Sequence, residues 1–342
     1  MAGRQKSSKP SMKDVAVRSG VSTATVSHVI NGTRYVSEEV SKKVHEAMRE
    51  LNYFPNSIAR SLRSKQSYLV GLIIPVKAYS DMANLFFMTV AQGVESILTK
   101  NGYKMILCNS YEDLQVEREL IQMFNAQLVD GVILAPVAKE FEQISDVVTE
   151  QYPIVLIDRN IRSFQGDCVR ADQFKGSSEA IRHLLQKGHT SIGFISSKND
   201  ISSSQERFEG YCWALQEAGF ESVERLIKTG DVTFEEGYRL ASELVESKQV
   251  TALFIANNTM TAGALSYLQE KGMAIPDQIA VIGFDDYEVL RVLNPPLTTV
   301  RQPAYGMGQK AAQVLLDRIR STENSDGSEY VMDTELIIRK ST

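Results

Sequence analysis

From Tyr68 onward the sequence alternates short, continuous apolar runs with longer amphipathic segments. The apolar runs read YLVGLIIPV, KMILCN, GVILAPV, IVLID, SIGFIS, ALFIAN, IAVIGFD and LTTV. Runs of this length without polar alternation are typical of strands that are buried on both faces, as in parallel sheets covered by helices. The pattern therefore predicts an α/β fold built from doubly wound parallel sheets.

Helices are predicted between these runs, at residues 87–100, 116–127, 177–187, 206–219, 235–247, 260–271 and 305–320. The strands form two successive series, which predicts two similar lobes. We expect the first lobe to comprise about residues 68–160 and 302–323, and the second about residues 161–301 and 324–342, with a final strand near 336–339 in the second lobe. Ligands of such folds bind in a cleft at the carboxyl ends of the strands.

Residues 12–56 show a different pattern, with two short helical segments, VAVRS and STATVSHVI, separated by Gly20 and Val21. This spacing, with Gly in the turn, predicts a helix-turn-helix. Ser22 is placed to cap the second helix, because its hydroxyl can accept a backbone N–H there. The inward side of that helix carries Val26, Val29 and Ile30.

The outward side of the second helix carries short or polar side chains, namely Thr23, Ala24, Thr25, Ser27 and His28. Such a surface suits a helix that enters the major groove of DNA, where hydroxyl and imidazole groups can contact base edges. A third helix is predicted to begin after a capping Ser37, with an apolar stripe of Val40, Val44, Met48 and Leu51.

The segments that flank residues 12–56 are predicted to be less regular. Residues 1–11 are basic and polar and are expected to be a disordered lead-in. Residues 57–67 are expected to be a hinge helix and linker, since Pro55 ends the preceding helix and Asn56 or Ser57 can cap a short helix at 58–62. A helix of that length is marginal on its own.

Charge divides the chain unequally. Residues 1–66 contain 12 Lys and Arg against 5 Asp and Glu, a net charge of +7, and the remainder carries −12. A cationic segment gains affinity for DNA by releasing counterions from phosphates, and an acidic remainder limits indiscriminate binding. The alternative, a solvated charged face, explains less because the positive charge coincides with the helix-turn-helix.

Composition and motifs exclude several classes. No stretch approaches the about 18 apolar residues of a membrane span, the N-terminus is unlike a signal peptide, and Cys108, Cys168 and Cys212 indicate buried thiols of a cytoplasmic protein. The sequence has no GxxxxGK[ST], HExxH, GxSxG or GxGxxG after the first strand, and no Cys/His set with zinc spacing. We therefore expect neither an enzyme nor a metal or cofactor site.

Several polar residues follow directly on predicted strands, where a cleft would lie: Asp158, Asn257 and Asp285, with Arg207 near the start of a helix. An Arg and an Asp on one wall can bind adjacent hydroxyl groups through charge-assisted hydrogen bonds. The alternative is that these residues pair with each other or cap helices.

The run VSTATVSHVIN, preceded by KDVA and followed by LNYFPNSIARSL, resembles the DNA-binding head of the lactose/galactose repressor family, and most of all the heads of its purine and ribose repressors. Weaker patterns extend the resemblance almost to the C-terminus. The resemblance implies a ligand-responsive transcription regulator, with a body like the periplasmic sugar-binding proteins, that binds a palindromic operator as a homodimer. A transport binding protein would share the body but lack the head, and an enzyme of flavodoxin-like topology would need catalytic residues.

The resemblance also implies site residues. DNA contacts are expected from the recognition helix and from two paired hinge helices, with Leu62 as an apolar wedge in the minor groove. The expected DNA-binding residues are Lys13, Ser22, Thr23, Ala24, Thr25, Ser27, His28, Asn31, Arg34, Ala59, Arg60, Leu62 and Arg63. The expected effector-binding residues are Phe86, Phe87, Asp158, Ser203, Arg207, Val232, Asn257, Asp285 and Gln302.

Five departures from the family pattern lie in or near the expected effector site. Ile201 stands where purine-binding relatives have an Arg, and Val232 where many relatives have a stacking aromatic residue. Asn258 replaces an Asp, Gln173 replaces an Asn, and in the run Asn84-Leu85-Phe86-Phe87 a Leu replaces a Pro. These changes favour a sugar or sugar derivative, with a nucleoside or another metabolite as the alternative. Release of DNA by the ligand and promotion of DNA binding by the ligand both stay open, since relatives do both.

Overall fold

The computed structural model describes residues 10–31, 34–54, 66–77, 83–149, 151–198, 201–220, 224–321 and 326–342. The chain divides into two compact units, Met1–Ser67 and Tyr68–Thr342, which we name the head and the body. Each unit has its own hydrophobic core. The hinge prediction at 57–67 falls largely outside the described residues, as does the lead-in up to residue 9.

The described residues of the head form three helices: α1 (Met12–Ser19), α2 (Thr23–Asn31) and α3 (Glu38–Glu50). Gly20 ends α1 in the left-handed conformation, with φ of 70°, which glycine adopts without steric cost. The core of the head is formed by Val15, Ala16, Val26, Val44 and Ala47. These positions confirm the predicted helix-turn-helix and its inward face.

Two details at the helix N-termini differ from the prediction. Ser11, assigned to the lead-in, forms a capping box with Asp14 and so belongs to the ordered head. Ser37 occupies the N-cap position of α3, but its side chain accepts no capping hydrogen bond. Ser22 caps α2 as predicted, because its Oγ accepts from the backbone N–H of Thr25 at 3.0 Å.

The described residues of the body form two six-stranded sheets. The first has the order β11-β5-β4-β3-β1-β2 and the second β12-β10-β9-β8-β6-β7. All pairings in the described sheets are parallel except that of β10 with β12. The strands are β1 (Leu69–Ile74), β2 (Lys104–Asn109), β3 (Gly131–Leu134), β4 (Ile154–Ile157), β5 (Asp167–Ala171), β6 (Ile192–Ser197), β7 (Ile227–Gly230), β8 (Ala252–Ile255), β9 (Ala280–Phe284), β10 (Thr298–Arg301), β11 (Glu329–Met332) and β12 (Glu335–Ile337).

Helices cover both sheets and are numbered onward from the head. They are α4 (Ala83–Lys100), α5 (Leu114–Gln127), α6 (Gln173–Gln186), α7 (Ser202–Glu217), α8 (Phe234–Glu246), α9 (Asn258–Glu270) and α10 (Ala304–Arg320). Short 3-10 helices lie at Phe141–Gln143, Glu224–Leu226 and Glu288–Arg291. The α/β class, the parallel sheets and the two lobes are those that the sequence predicts. In the described part of the chain, no helix is long and apolar enough to cross a membrane.

The boundary between the lobes differs from the prediction. Strand β5, at Asp167–Ala171, was placed in the second lobe but pairs with β4 in the first sheet. Strand β11, at Glu329–Met332, was not predicted and pairs with β5. The chain therefore crosses to the second lobe only at the start of α6. A four- or five-residue strand carries no signal for which neighbour it will pair with, so the sequence could not locate this crossing.

Candidate functional site

A cleft of about 710 Å³ lies between the two lobes, within the range of small-molecule sites. It lies where strands of both sheets end, because β4, β6, β7 and β9 are followed directly by lining residues. All nine residues predicted to bind an effector line this cleft: Phe86, Phe87, Asp158, Ser203, Arg207, Val232, Asn257, Asp285 and Gln302. The structure therefore brings together residues that lie as far as 216 positions apart.

Arg207 is the main cation of the second-lobe wall. It lies on α7 and is 7% exposed. Its Nη1 donates to the Ala256 carbonyl at 2.7 Å, and its guanidinium lies 3.8 Å from the centre of the Phe284 ring. Within the described residues, no carboxylate lies within ion-pair distance of Arg207. The guanidinium of Arg207 therefore does not form an ion pair with Asp285. Burial lowers the pKa of Arg207, and an anionic or polar ligand atom would relieve that desolvation.

Asp285 follows β9 and is joined to Arg207 through two glutamine side chains. Arg207 Nε donates to Gln173 Oε1 at 2.8 Å, and Gln173 Nε2 donates to Gln302 Oε1 at 2.8 Å. Gln302 Nε2 then donates to Asp285 Oδ1 at 2.6 Å. All four side chains are buried. Burial raises the pKa of Asp285, while Arg207 and the hydrogen bond from Gln302 oppose the rise.

Asp158 stands on the first-lobe wall, directly after β4. It is 7% exposed, and its Oδ1 atom has no hydrogen-bond partner among the described residues. Burial raises the pKa of Asp158, against the opposing charges of Arg159 and Arg207. Asp158 and Asp285 each have a φ of 70°, a conformation that costs energy in residues other than glycine and that is concentrated at functional sites.

Other predicted residues have mixed roles. Asn257 caps α9, because its Oδ1 accepts from the Met260 backbone N–H at 3.1 Å. For this oxygen, the structure therefore shows helix capping, which the sequence analysis gave as the alternative to effector binding. Phe86 and Phe87 are buried and contact each other edge to face, with ring centres 5.1 Å apart. They are the aromatic residues among the described residues that line the cleft.

The sequence reasoning missed two supports of the first-lobe wall. Arg159 forms a two-pronged ion pair with Glu112, with Nη2 to Oε1 at 2.5 Å and Nη1 to Oε2 at 3.0 Å. Glu117 is fully buried and accepts from the backbone N–H groups of Val137 and Ala138, which line the cleft. The only sequence signal for these supports was a charged residue next to, or inside, an otherwise apolar segment.

The predicted DNA-binding residues of the head lie mainly on or near α2. Lys13, Ser22, Thr23, Ala24 and Arg34 are exposed. Thr25, Ser27 and His28 are partly buried, and the Ser22 and Thr25 hydroxyls lie 2.9 Å apart in the cap of α2. The side chain of Asn31 and the residues Ala59, Arg60, Leu62 and Arg63 lie outside the described part of the chain.

Similarity to known proteins covers both units. Residues 11–56 match the family of bacterial regulatory proteins called the lacI family, and residues 181–342 match a periplasmic binding protein-like domain. The HTH-type transcriptional repressor PurR of Vibrio atlanticus (strain LGP32) is 36% identical over 331 residues, which span 96% of this chain and 97% of that protein. PurR of Vibrio cholerae (strain M66-2) is 36% identical over 316 residues, 92% of each chain.

Solved structures show the same architecture. The complex of the transcriptional regulator CelR with cellobiose has a TM-score of 0.73 and 31% identity, covering 97% of this chain and 100% of that one. The Lac repressor dimer bound to operator and the anti-inducer ONPF has a TM-score of 0.85 and 24% identity, over 98% and 99% of the two chains, and this likeness supports the fold alone. The chain belongs to the lacI family of bacterial regulatory proteins and is a ligand-responsive transcriptional regulator.

Proposed function

We propose that this regulator is a cytoplasmic repressor that binds a palindromic operator as a homodimer and takes a neutral, polyhydroxylated effector, a sugar or sugar derivative, in the cleft between its lobes. The observation that carries the effector class is the pairing of a buried guanidinium, Arg207, with two buried carboxylates, Asp158 and Asp285, around one cavity. The nine predicted cleft residues act as its ligand contacts.

A hydroxyl group suits this set of partners because it donates and accepts at once. It can donate to the unpartnered Oδ1 of Asp158 and accept from Arg207. A phosphorylated ligand would bring its charge against the buried carboxylates of Asp158 and Asp285. Phe86 and Phe87 supply an apolar face for the C–H side of a sugar ring.

A purine effector is the second candidate, because PurR proteins are 33–36% identical to this chain over almost its full length. The lining of the cleft argues against it. Ile201 and Val232 offer neither a guanidinium nor a ring on the second-lobe side, and Phe86 and Phe87 are packed edge to face against each other. A flat base would therefore lack a stacking partner at these two positions.

A thermal-shift experiment on the full-length protein distinguishes the two candidates, since a ligand that binds only the native state raises its melting temperature. We expect cellobiose or D-ribose, or a related sugar in the same panel, to raise the melting temperature in a concentration-dependent way. Hypoxanthine and adenine serve as the purine arm. Stabilisation by a purine alone would overturn the sugar proposal and support the second candidate.

The proposed DNA contact rests on the outward side of α2, which carries the exposed Thr23 and Ala24 and the partly buried His28. Duplexes selected from a random library should be palindromic, and the protein should sediment as a dimer in analytical ultracentrifugation. Replacing His28 with Ala should remove about 1–3 kcal/mol of discrimination between selected and random duplexes. Equal loss on both duplexes would assign His28 to phosphate contact or folding instead.

The hinge remains part of this proposal through the family resemblance. Leu62 is proposed as the minor-groove wedge, so Leu62→Ala should weaken binding to the selected duplex while the sugar-induced thermal shift stays at the wild-type value. Wild-type DNA affinity in Leu62→Ala would reduce residues 57–67 to a tether.

A further inference from the structure

Gln173 is a buried residue whose side-chain amide connects residues of the cleft. It is 1% exposed, and both ends of its amide are in use. Its Oε1 accepts from Arg207 Nε, and its Nε2 donates to Gln302 Oε1. Gln302 Nε2 in turn donates to Asp285 Oδ1, so the hydrogen-bond network extends to Asp285. The two groups proposed to bind the effector from the second lobe are therefore joined through Gln302, which lines the cleft, and Gln173, which does not.

The glutamines also lie where the chain passes between lobes. Gln173 begins α6, two residues after the end of β5 of the first sheet, and α6 packs on α7 and on β10 of the second lobe. Gln302 connects β10 of the second sheet to α10, which packs on α4 and on the first sheet. The Gln173–Gln302 hydrogen bond therefore joins two crossovers between the lobes.

The third crossover leads from β11 of the first sheet to β12 of the second sheet, and it is hydrogen-bonded to Asp172, the residue before Gln173. The backbone N–H of Asp172 donates to the Met332 carbonyl at 2.8 Å, and Thr334 Oγ1 donates to the Asp172 carbonyl at 3.1 Å. Hydrogen bonds of residues 172 and 173 thus connect the three crossovers that the structure describes. A change in the relation of the lobes must be accommodated around these bonds.

We propose that Gln173 is a positioning residue: its amide fixes the guanidinium of Arg207 and, through Gln302, the carboxylate of Asp285 in the arrangement that binds the effector, and anchors that arrangement to the crossovers between the lobes. The inference rests on the proposed function for its ligand-binding part. The connected network itself stands on the hydrogen bonds alone and can be tested without ligand.

The ligand-free test is a double-mutant cycle on unfolding by urea. Gln173→Met keeps the length of the side chain but removes both hydrogen bonds, and Asp285→Asn changes the far end of the network. We expect the effects of the two changes on the unfolding constant to deviate from a simple product by at least about threefold, as coupled residues do. Independent effects would overturn the network.

A matched control comes from Asn125, a half-buried side chain whose amide, like that of Gln173, has both ends engaged. It donates to the Val147 carbonyl at 2.9 Å and accepts from the Tyr152 hydroxyl at 2.6 Å, away from the cleft. Asn125→Leu should destabilise the protein, and its effect should multiply independently with that of Asp285→Asn. If the control pair showed coupling of equal size, the coupling between Gln173→Met and Asp285→Asn would no longer be evidence for the network.

The ligand test uses the full-length protein and calorimetry with cellobiose or D-ribose, whichever stabilises the wild type more. Gln173→Met should lower affinity about tenfold, because Arg207 loses a fixing partner, whereas Asn125→Leu should retain wild-type affinity at equal loss of stability. Gln173→Glu keeps an acceptor for Arg207 Nε and should recover most of the affinity.

The outcomes separate this inference from the proposed function. Wild-type affinity in Gln173→Met would overturn the positioning role even if the sugar binds. If neither sugar stabilises the wild type, the effector class fails, and the double-mutant cycle still decides the network. Should Gln173→Met not fold, the same cycle with Gln173→Glu, which lacks the donor to Gln302, takes its place.

Discussion

The two walls of the cleft are built in different ways. On the second-lobe wall, Arg207 and Asp285 are already joined through two buried glutamines, and Arg207 also rests on a backbone carbonyl and an aromatic ring. On the first-lobe wall, Asp158 is equally buried but leaves Oδ1 without a partner in the described structure. Its neighbour Arg159 is directed mainly to Glu112.

This difference indicates that the two walls contribute to effector binding in different ways. A preorganised wall costs little to order when a ligand arrives, so it contributes most to affinity. A buried carboxylate with an unsatisfied oxygen destabilises the unliganded protein and is relieved by a hydroxyl donor. We therefore propose that Arg207 and Asp285 of the second lobe bind the effector first. Asp158 then adds affinity when the first lobe contacts the bound effector.

The largest expected effect is on the second-lobe wall. Arg207→Ala should weaken sugar binding about ten- to a hundredfold, because a charged hydrogen-bond donor is worth about 1.5–3 kcal/mol when its partner is desolvated. Calorimetry measures this directly. Arg182→Ala is the matched control, since Arg182 pairs with Glu217 outside the cleft, and it should bind as the wild type does. Equal affinity in the two variants would show that Arg207 is structural.

The first-lobe wall should respond more weakly and with opposite effects on affinity and stability. Asp158→Asn keeps an acceptor oxygen but loses the charge, so affinity should fall only about two- to tenfold. Because burial raises the pKa of Asp158, ionisation at neutral pH opposes folding, and the unliganded variant should melt at a higher temperature than the wild type. A lower melting temperature with unchanged affinity would make Asp158 a structural residue.

The smallest expected effect concerns an ion pair between the lobes. Glu206 on α7 lies 2.9 Å from Arg170 on β5, which also binds Glu329 of β11 at 2.6 Å. Burial raises the pKa of Glu206 to about 7, and the opposing effect of Arg170 is smaller. The other charged groups acting on Glu206 are Glu329, Asp172 and Glu209.

The pH dependence follows from that raised pKa. The protonated form of Glu206 is favoured in the folded state, so its contribution to stability is present below about pH 4.5 and is lost as pH rises to about 7. Glu206→Gln should therefore flatten the decline in melting temperature over this interval. Glu217→Gln, which alters an exposed pair within the second lobe, should leave the decline intact. A wild-type profile in Glu206→Gln would place the pKa of Glu206 near its ordinary value.

Strand-end residues were the most predictable part of the cleft. Asp158, Asn257 and Asp285 follow short apolar runs, and parallel topology places such positions at one edge of a sheet. The family resemblance added Phe86, Phe87, Ser203, Val232 and Gln302, which local sequence would not single out. The structure brings all nine to one cavity.

The supports of the site were less predictable, because they depend on pairings distant in sequence. Gln173 meets a partner 129 residues away, and Arg159 meets Glu112 47 residues away. Strand β5 was assigned to the wrong lobe because its neighbour in the sheet is a tertiary property. Residue type and periodicity specify what a segment can form, but they do not specify which distant segment it will contact.

The most direct test of the two-wall account is a crystal structure of the full-length protein with the sugar that stabilises it most. The account predicts one ligand hydroxyl within about 3.2 Å of Asp158 Oδ1 and another ligand oxygen at a similar distance from the guanidinium of Arg207. The Gln173–Gln302 hydrogen bond should be retained. A sugar bound outside the cleft, or one that contacts Arg207 while Asp158 Oδ1 stays without a partner, would contradict it.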